Sequence, residues 1–385
     1  MDSGHFSDSQ VVIQLRIVPY LENTKFHGRD NQLAEIRKVF SPRSGPQTSQ
    51  RRLVLQGFPG IGKTTLALQY SIDYGNEYEG VFWINALVAG TADDSAQGGT
   101  SSGVETIEQE YRKLNKEVEE RTSKTLEKWC SDKKWLLIID NLEGPTQFNA
   151  SSMIPPGPGD VIITSRYRGL NQLGVVMSIP PLEEQTAADL LCIYGENRMK
   201  EDQDGTNALK IVRMLGCVPL AIRHCGCLVS EQETRLSSYI QDFDELMTEL
   251  VIPEDRGDVF DLNQSKPLLK TFEISLTYLN RASVDAANML ALMANLNPTE
   301  ISDDMLRRGL QPHRRWGKDG NIETSLVPQM RSWLKNLPDK DRGRGVDEAL
   351  KALVRYSLLF RKIDKGSYFL HPVCAFFSEG GLAAW

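Results

Sequence analysis

No stretch of the 385-residue chain reaches the roughly 18 consecutive apolar residues that a membrane-spanning helix needs. The N-terminus also lacks the basic-then-apolar order of a secretion signal. Membrane-spanning and secreted classes are therefore set aside, and the expected compartment is the cytoplasm. Excess positive charge is missing as well: the formal net charge is -7, which argues against a nucleic-acid surface while leaving room for a local basic patch. Six cysteines, Cys130, Cys192, Cys217, Cys225, Cys227 and Cys374, fall mostly in apolar helical text and not at metal-ligand spacing. Cys225-Gly226-Cys227 is a C-x-C, and buried thiols in a reducing compartment are expected there rather than zinc or disulfides. The length exceeds what one average core uses and allows two or three domains.

What is present is organised around Gly57-Phe58-Pro59-Gly60-Ile61-Gly62-Lys63-Thr64-Thr65. The spacing is G-x-x-x-x-G-K-[ST], with the apolar run Leu53-Val54-Leu55 before it and the helical text Leu66-Ala67-Leu68-Gln69-Tyr70 after it. Glycines let backbone N–H groups converge on phosphate oxygens, and the helix that follows opens with unpaired N–H groups aimed at the same charge. Lys63 would lie along the β- and γ-phosphates, and Thr64 would offer its hydroxyl to Mg²⁺. A Gly/Pro surface loop would have to produce the lysine, both threonines and both flanking periodicities by accident.

Upstream, Val11 to Val18 reads as a short strand or a tether, and Leu33, Ile36 and Phe40 mark one face of a helix. Gly80 to Asn85 reads as a buried strand, which sets up the strand, helix, strand rhythm of a parallel sheet covered by helices. Val88 to Gly103 drops to Gly, Ser, Thr, Ala and Asp and reads as a flexible insertion. A charged helix is expected from about Val104 to Cys130, with Ile107, Tyr111, Leu114 and Val118 as its apolar stripe. Lys134 to Asp140 is an apolar strand delivering a carboxylate at its C-terminal end, where open α/β sheets bind ligands; Asp140 is the candidate Mg²⁺ ligand through water. Val161-Ile162-Ile163-Thr164 closes with Ser165-Arg166, and Arg166 is either a solvated strand end or a reader of the γ-phosphate.

After Pro180-Pro181 the alternation stops. Helices are expected at 187–194, 208–215 and 220–229, so a first boundary is placed at Val176 to Pro181. In Gly216-Cys217-Val218-Pro219-Leu220-Ala221, Pro219 suits the first position of a helix, and the Pro219-Leu220 pair could equally wall a purine. From about 256, helices are expected at 266–278, 283–293, 302–308 and 347–356, with 311–344 as an irregular insertion. Leu358 to Ile363 and Ser367 to Leu370 flank Asp364-Lys365-Gly366 as a hairpin. Three helices with such a hairpin make a winged-helix arrangement, a fold that often binds DNA and as often only packs.

Taken in order, these segments resemble the NB-ARC nucleotide-binding module of STAND-class signalling P-loop ATPases, the NLR-like group that includes plant disease-resistance proteins, the apoptotic protease-activating factor and fungal receptor-like proteins. Phe26-His27-Gly28-Arg29-Asp30 looks like the opening hydrophobic-x-Gly-Arg-acid segment, Gly57 to Thr64 the Walker A and Leu136 to Asp140 the Walker B. Val161 to Arg166 looks like the first sensor strand, residues 216–221 match Gly-x-x-Pro-Leu-Ala, and Leu370-His371-Pro372 falls where the group has Met-His-Asp. The lead-in Pro19 to Phe26 and the His-Pro variant look most like fungal members, and the resemblance spans residues 19 to 377.

The resemblance implies an α/β P-loop NTPase domain, parallel sheet with helices on both faces, followed by a small helical domain and a winged-helix domain. The expected partition is a tether at 1–24, the nucleotide-binding domain at 25–178, the helical domain at 179–255 and the winged-helix domain at 256–385. Its ligands would be ADP or ATP with Mg²⁺. Carried over residue by residue, Arg29 lines the base side, Gly57, Pro59, Gly60, Ile61, Gly62, Lys63, Thr64 and Thr65 hold phosphates, Thr64 and Asp140 order the metal shell, and Arg166 senses the γ-phosphate. Pro219 and Leu220 contact adenine, and His371 reaches the β-phosphate of ADP from the third domain. A bond from His371 forms only when the domains are closed, so it would tie their arrangement to the nucleotide.

Two positions depart from the group. Asn141 stands where much of it has a second acid, leaving Glu143 as the nearest replacement base, so slow ATP hydrolysis at most is expected. Pro372 removes a carboxylate and an N–H beside the expected latch. No Asn-Lys-x-Asp segment follows Arg166, which favours adenine over guanine. Residues 1–18 are too few for an effector domain and no repeat array follows Trp385, so a piece of a longer innate-immunity receptor is expected ahead of a minimal switch that borrows protein partners. The expected output is self-association on nucleotide exchange. The alternatives are a conventional ATPase or small-molecule kinase, with Glu143 as its base, and an ATP-regulated transcription factor using the basic residues Arg355, Arg361, Lys362 and Lys365 around the hairpin.

Overall fold

The computed structural model describes residues 15–18, 25–41, 50–86, 101–142, 153–167, 169–195, 204–232, 235–249, 262–294, 296, 301–309, 313–316, 322–325, 342–362 and 366–370. Six strands form one sheet: β1 (Leu15–Ile17), β2 (Arg51–Gln56), β3 (Gly80–Asn85), β4 (Trp135–Asp140), β5 (Gly159–Ser165) and β6 (Val175–Ser178). Their order is β1-β3-β4-β5-β2-β6, and every pairing is parallel. All residues of β4 and β5 are buried, as expected for central parallel strands covered on both faces.

The alternation of side chains along these strands feeds two separate cores. On one face Leu53, Leu55, Val81, Leu136, Ile138 and Ile162 pack with Leu33, Ile36 and Phe40 near helix α1 (Asp30–Val39) and with Leu66, Ala67 and Tyr70 of α2 (Lys63–Tyr74). On the other, Val54, Phe82, Ile84, Leu137, Ile139, Val161 and Ile163 pack with Leu114 and Val118 of α3 (Ser101–Thr122) and Leu126 and Trp129 of α4 (Leu126–Cys130). The charged helix expected to run unbroken to Cys130 is divided at Ser123, whose φ of 58° ends α3. It also begins at Ser101, inside the stretch read as a flexible insertion.

Two strands change the sequence reading. Leu15–Ile17, left open as strand or tether, pairs with Gly80 to Phe82 at one edge of the sheet. Val175–Ser178, where the alternation was expected to end, pairs with Leu53 to Gln56 at the other. Four residues with half-exposed side chains carry little sequence signal, and the parallel partner supplies what they lack.

A third core runs from Leu182 to Leu370 without a break. It takes in α5 (Glu184–Tyr194), α6 (Asp204–Met214), α7 (Pro219–Gln232), α8 (Leu236–Glu249), α9 (Leu262–Ala282), α10 (Val284–Ala294), α11 (Asp303–Gly309) and α12 (Arg342–Arg355). Of these, α8 lies outside the helices that the sequence pattern predicts. Strand β7 (Ile301–Ser302) joins β10 (Leu359–Lys362) and β11 (Ser367–Leu370) in a three-stranded antiparallel sheet, with β10 and β11 forming the expected hairpin. Within the stretch read as irregular, β8 (His313–Trp316) and β9 (Ile322–Ser325) pair antiparallel. Among the described residues no helix is long and apolar enough to cross a membrane.

Candidate nucleotide-binding site

Register places Gln56 of β2 beside Ser165 of β5, and Asn85 of β3 beside Asp140 of β4. The C-terminal ends of four strands therefore share one edge, where α/β sheets bind ligands. The loop from Gly57 to Gly62 rises from that edge and turns into α2 at Lys63. Gly60 (φ 75°) and Gly62 (φ 98°) take the left-handed conformation that glycine adopts without strain. Gly62 caps α2 without a side-chain bond, so the helix presents its first-turn N–H groups at the loop.

Lys63 is 7% exposed. Its ammonium donates to the carbonyls of Gly57 (2.8 Å) and Phe58 (3.1 Å). Burial, and secondarily the charge of Arg166, lower its pKa to about 7, with Asp140 acting in the opposite sense. Asp140 is buried too, and that burial raises its pKa against the hydrogen bonds from Thr164 and Thr64. Its Oδ1 accepts from Thr64 Oγ1 (2.8 Å) and Thr164 Oγ1 (2.5 Å). Its Oδ2 accepts from Asn141 Nδ2 (3.0 Å), which also reaches Asn85 Oδ1 (3.3 Å). Asn141 sits at φ 63°, a conformation asparagine tolerates better than most residues, and its N–H donates to Thr164 Oγ1 at 2.9 Å. Burial also lowers the pKa of Arg166.

Other sequence-predicted residues meet at the outer side of the loop. Arg29, at φ 74°, caps the start of α1. Its Nη2 donates to Ile61 O at 3.2 Å, and burial brings its pKa down to about 10. Pro219 opens α7 with its ring 4.0 Å from where a Cβ on Gly62 would lie. The N–H of Leu220 donates to Gly60 O at 3.2 Å. Thus Arg29, the loop, Thr64, Thr65, Pro219 and Leu220 come together, with Asp140 and Arg166 at the strand ends. Glu143, His371 and Pro372 lie outside the described residues.

Thr164, Asn85 and Leu268 were not singled out from sequence. A threonine closing a buried strand beside Ser165-Arg166 was a usable signal for the first. The second needed the register of β3 on β4, and the third needed the packing of α9.

The oxygen pair Thr64 Oγ1 and Asp140 Oδ1 fits Mg²⁺, which takes one or two protein oxygens and completes its shell with phosphate and water. Among the described residues no group of three or more His, Cys, Asp or Glu could hold a metal by itself, as that mode of binding requires none.

No family model matches the chain. A nucleotide-binding leucine-rich repeat (NLR)-like protein of Hyaloscypha variabilis is 24% identical over 309 residues, covering 72% of this chain and 30% of that protein. The chain is similar to a fungal NLR-like protein. It spans under a third of that relative's length. Among solved structures it is similar to a STAND protein with a tetratricopeptide repeat sensor from Pyrococcus horikoshii, at TM-score 0.46 and 15% identity, covering 97% of this chain and 44% of the other. It is also similar to the AAA domain of FIGL-1 in complex with ADP, at TM-score 0.34 and 12% identity, covering 63% and 82% respectively. Likenesses of that size decide nothing about function, so the functional reading of this chain rests on its loop and strand ends.

Proposed function

We propose that this chain is the nucleotide-operated switch of an NLR-like signalling ATPase, binding ADP or ATP with Mg²⁺. The observation that carries the reading is the convergence on one edge of Lys63, Thr64 and Asp140, linked by the 2.8 Å bond from Thr64 to Asp140, with Leu220 of the helical region bonded to Gly60. Lys63 neutralises phosphate charge, and the first-turn N–H groups of α2 orient the phosphates. Thr64 and Asp140 would hold Mg²⁺, which would supply neutralisation of phosphate charge. Arg166 reads the γ-phosphate end, and Pro219 with Leu220 faces adenine.

Asn141 occupies the position next to Asp140 with an amide already engaged by Asp140 and Asn85. An amide orients water but does not take its proton, so the site holds triphosphate longer than it cleaves it. The output is assembly. At rest the nucleotide-binding (25–178), helical (179–255) and winged-helix (256–385) domains close over ADP, with His371 on its β-phosphate, and exchange for ATP opens them for self-association. The setting is cytoplasmic signalling in defence.

The experiment is to denature freshly purified protein and identify the released nucleotide, with Lys63→Ala and His371→Ala alongside. Stoichiometric ADP, lost in both variants, is the expected result. An empty site in the unaltered chain would refute the switch, and ADP retained by His371→Ala would refute the latch.

A further inference from the structure

The tip of the phosphate loop is held from outside by two helices. A Cβ on Gly60 would lie 2.9 Å from Leu220 Cβ, 3.2 Å from Leu220 Cδ2 and 3.1 Å from Leu268 Cδ2. Leu220 is in the first turn of α7 and Leu268 is on α9, both buried in the third core. Phe58, at the base of the same loop, packs against that core and against the sheet core carrying α2. More than two hundred residues of sequence separate Gly60 from Leu268, yet Leu268 crowds the space that a side chain on Gly60 would need.

The contact acts on backbone orientation. The Gly60 carbonyl accepts from Leu220 N–H at 3.2 Å, and the Ile61 carbonyl accepts from Arg29 at 3.2 Å. In a trans peptide the N–H points opposite to the carbonyl. Pinning these two carbonyls outward therefore turns the N–H groups of Ile61 and Gly62 the other way, and consecutive N–H groups turned to one side form an anion-binding concavity. Both anchors come from outside the loop, and Leu268 Cδ2 lies 3.1 Å from where a Cβ would stand on Gly60, the residue whose carbonyl the first one holds.

We propose that Leu268 is a positioning residue for nucleotide binding. By packing with Leu220 on Gly60 it braces the loop in its phosphate-binding form, so the loop's hold on a nucleoside diphosphate depends on α9 being docked. The inference rests on the nucleotide reading above, but it concerns a contact made by the loop's own backbone and does not involve His371. Because α9 carries Leu268, any movement that lifts it from α7 uncovers Gly60 and leaves the Leu220 N–H bond to the Gly60 carbonyl without the packing beside it. Loop geometry and the placement of the third region thereby become one equilibrium.

The test uses the 385-residue chain loaded with fluorescent methylanthraniloyl-ADP and chased with unlabelled ADP, comparing Leu268→Ala, Leu268→Met, Leu353→Ala and Lys63→Ala, with melting temperatures recorded for each. Leu353, fully buried in α12, belongs to the same core and controls for general loss of packing. The expected result is ADP dissociation about tenfold faster in Leu268→Ala, since contacts of this kind act mainly on off-rates. Methionine, of similar volume, should restore the rate to within about twofold, and Leu353→Ala should leave it there despite a lowered melting temperature. Dissociation from Leu268→Ala within about twofold of the unaltered chain, with Lys63→Ala unable to load, would overturn the brace and leave the nucleotide reading standing. Equal acceleration in Leu353→Ala would also overturn it. Failure of the unaltered chain to load at all would overturn both.

Discussion

Lys63 makes nucleotide affinity depend on pH in a direction that its burial dictates. In the unliganded site its pKa is lowered to about 7, with burial as the largest cause. A bound diphosphate brings negative charge to the ammonium and raises that pKa again. Above pH 7, binding must therefore take up a proton. At pH 7 about half of the free sites hold that proton, and at pH 9 about one in a hundred, so the Kd for ADP is expected to rise about 50-fold between them. The phosphate's own second ionisation, near pH 6, is about nine-tenths complete at pH 7 and essentially complete by pH 8, so it adds little to the trend.

Folding stability moves the other way. The unfolded lysine keeps its proton up to about pH 10.5, whereas the folded one releases it near 7, so between these values the unfolded state binds more protons and stability rises with pH. From pH 7 to 9 the contribution is about 2 kcal/mol, to be read as the difference between the unaltered chain and Lys63→Met. Fluorescent-ADP titrations at pH 7, 8 and 9 without divalent cation, together with thermal melts of the nucleotide-free chain, measure the two trends. A Kd constant within about twofold from pH 7 to 9 would refute a buried, readily deprotonated lysine, and so would melts in which Lys63→Met tracks the unaltered chain.

Gly60→Ala should abolish stable ADP binding in an equilibrium titration while leaving the protein folded by circular dichroism, because a Cβ would meet Leu220 Cβ at 2.9 Å on a residue at φ 75°; unchanged affinity would mean that the loop tip is not held. ATP turnover in a phosphate-release assay is expected below about one per second, and a faster rate would show that Asn141 does not limit hydrolysis. At the opposite end of the sheet, Asp160 takes both Arg51 Nε and Nη2 at 2.7 Å and Tyr78 OH at 2.7 Å, all largely buried. Asp160→Asn should cost about 3–5 kcal/mol in urea unfolding, since it leaves the Arg51 charge without its counter-ion. A loss below about 1 kcal/mol would refute that accounting.

The local sequence determined the elements whose signals are local. Two glycines that need positive φ, a lysine at the start of α2 and an apolar run ahead of them specify a phosphate loop wherever they occur. Lys134 to Asp140 and Val161 to Ser165 are so densely apolar that only central strands of a covered sheet suit them, and Asp364-Lys365-Gly366 between two short apolar runs announced the β10–β11 hairpin. Val175–Ser178 has no such signal because a four-residue, half-exposed strand owes its existence to β2, and the end of α3 at Ser123 has none because a single left-handed residue leaves no periodic trace.

The tertiary structure alone decided which distant residues meet. Asp140 could be read as a strand-end carboxylate, but only the register of β3, β4 and β5 sets Thr164 on one of its oxygens and Asn141, steadied by Asn85, on the other. Arg29 and Leu220 could be recognised by motif, yet their bonds to consecutive loop carbonyls depend on how α1 and α7 dock. Leu268 had no signal at all, being one leucine of an amphipathic helix. Its place over Gly60 comes from the packing of α9 on α7, because which face of a helix is apolar is written in the sequence, whereas what that face covers is settled only when the chain is folded.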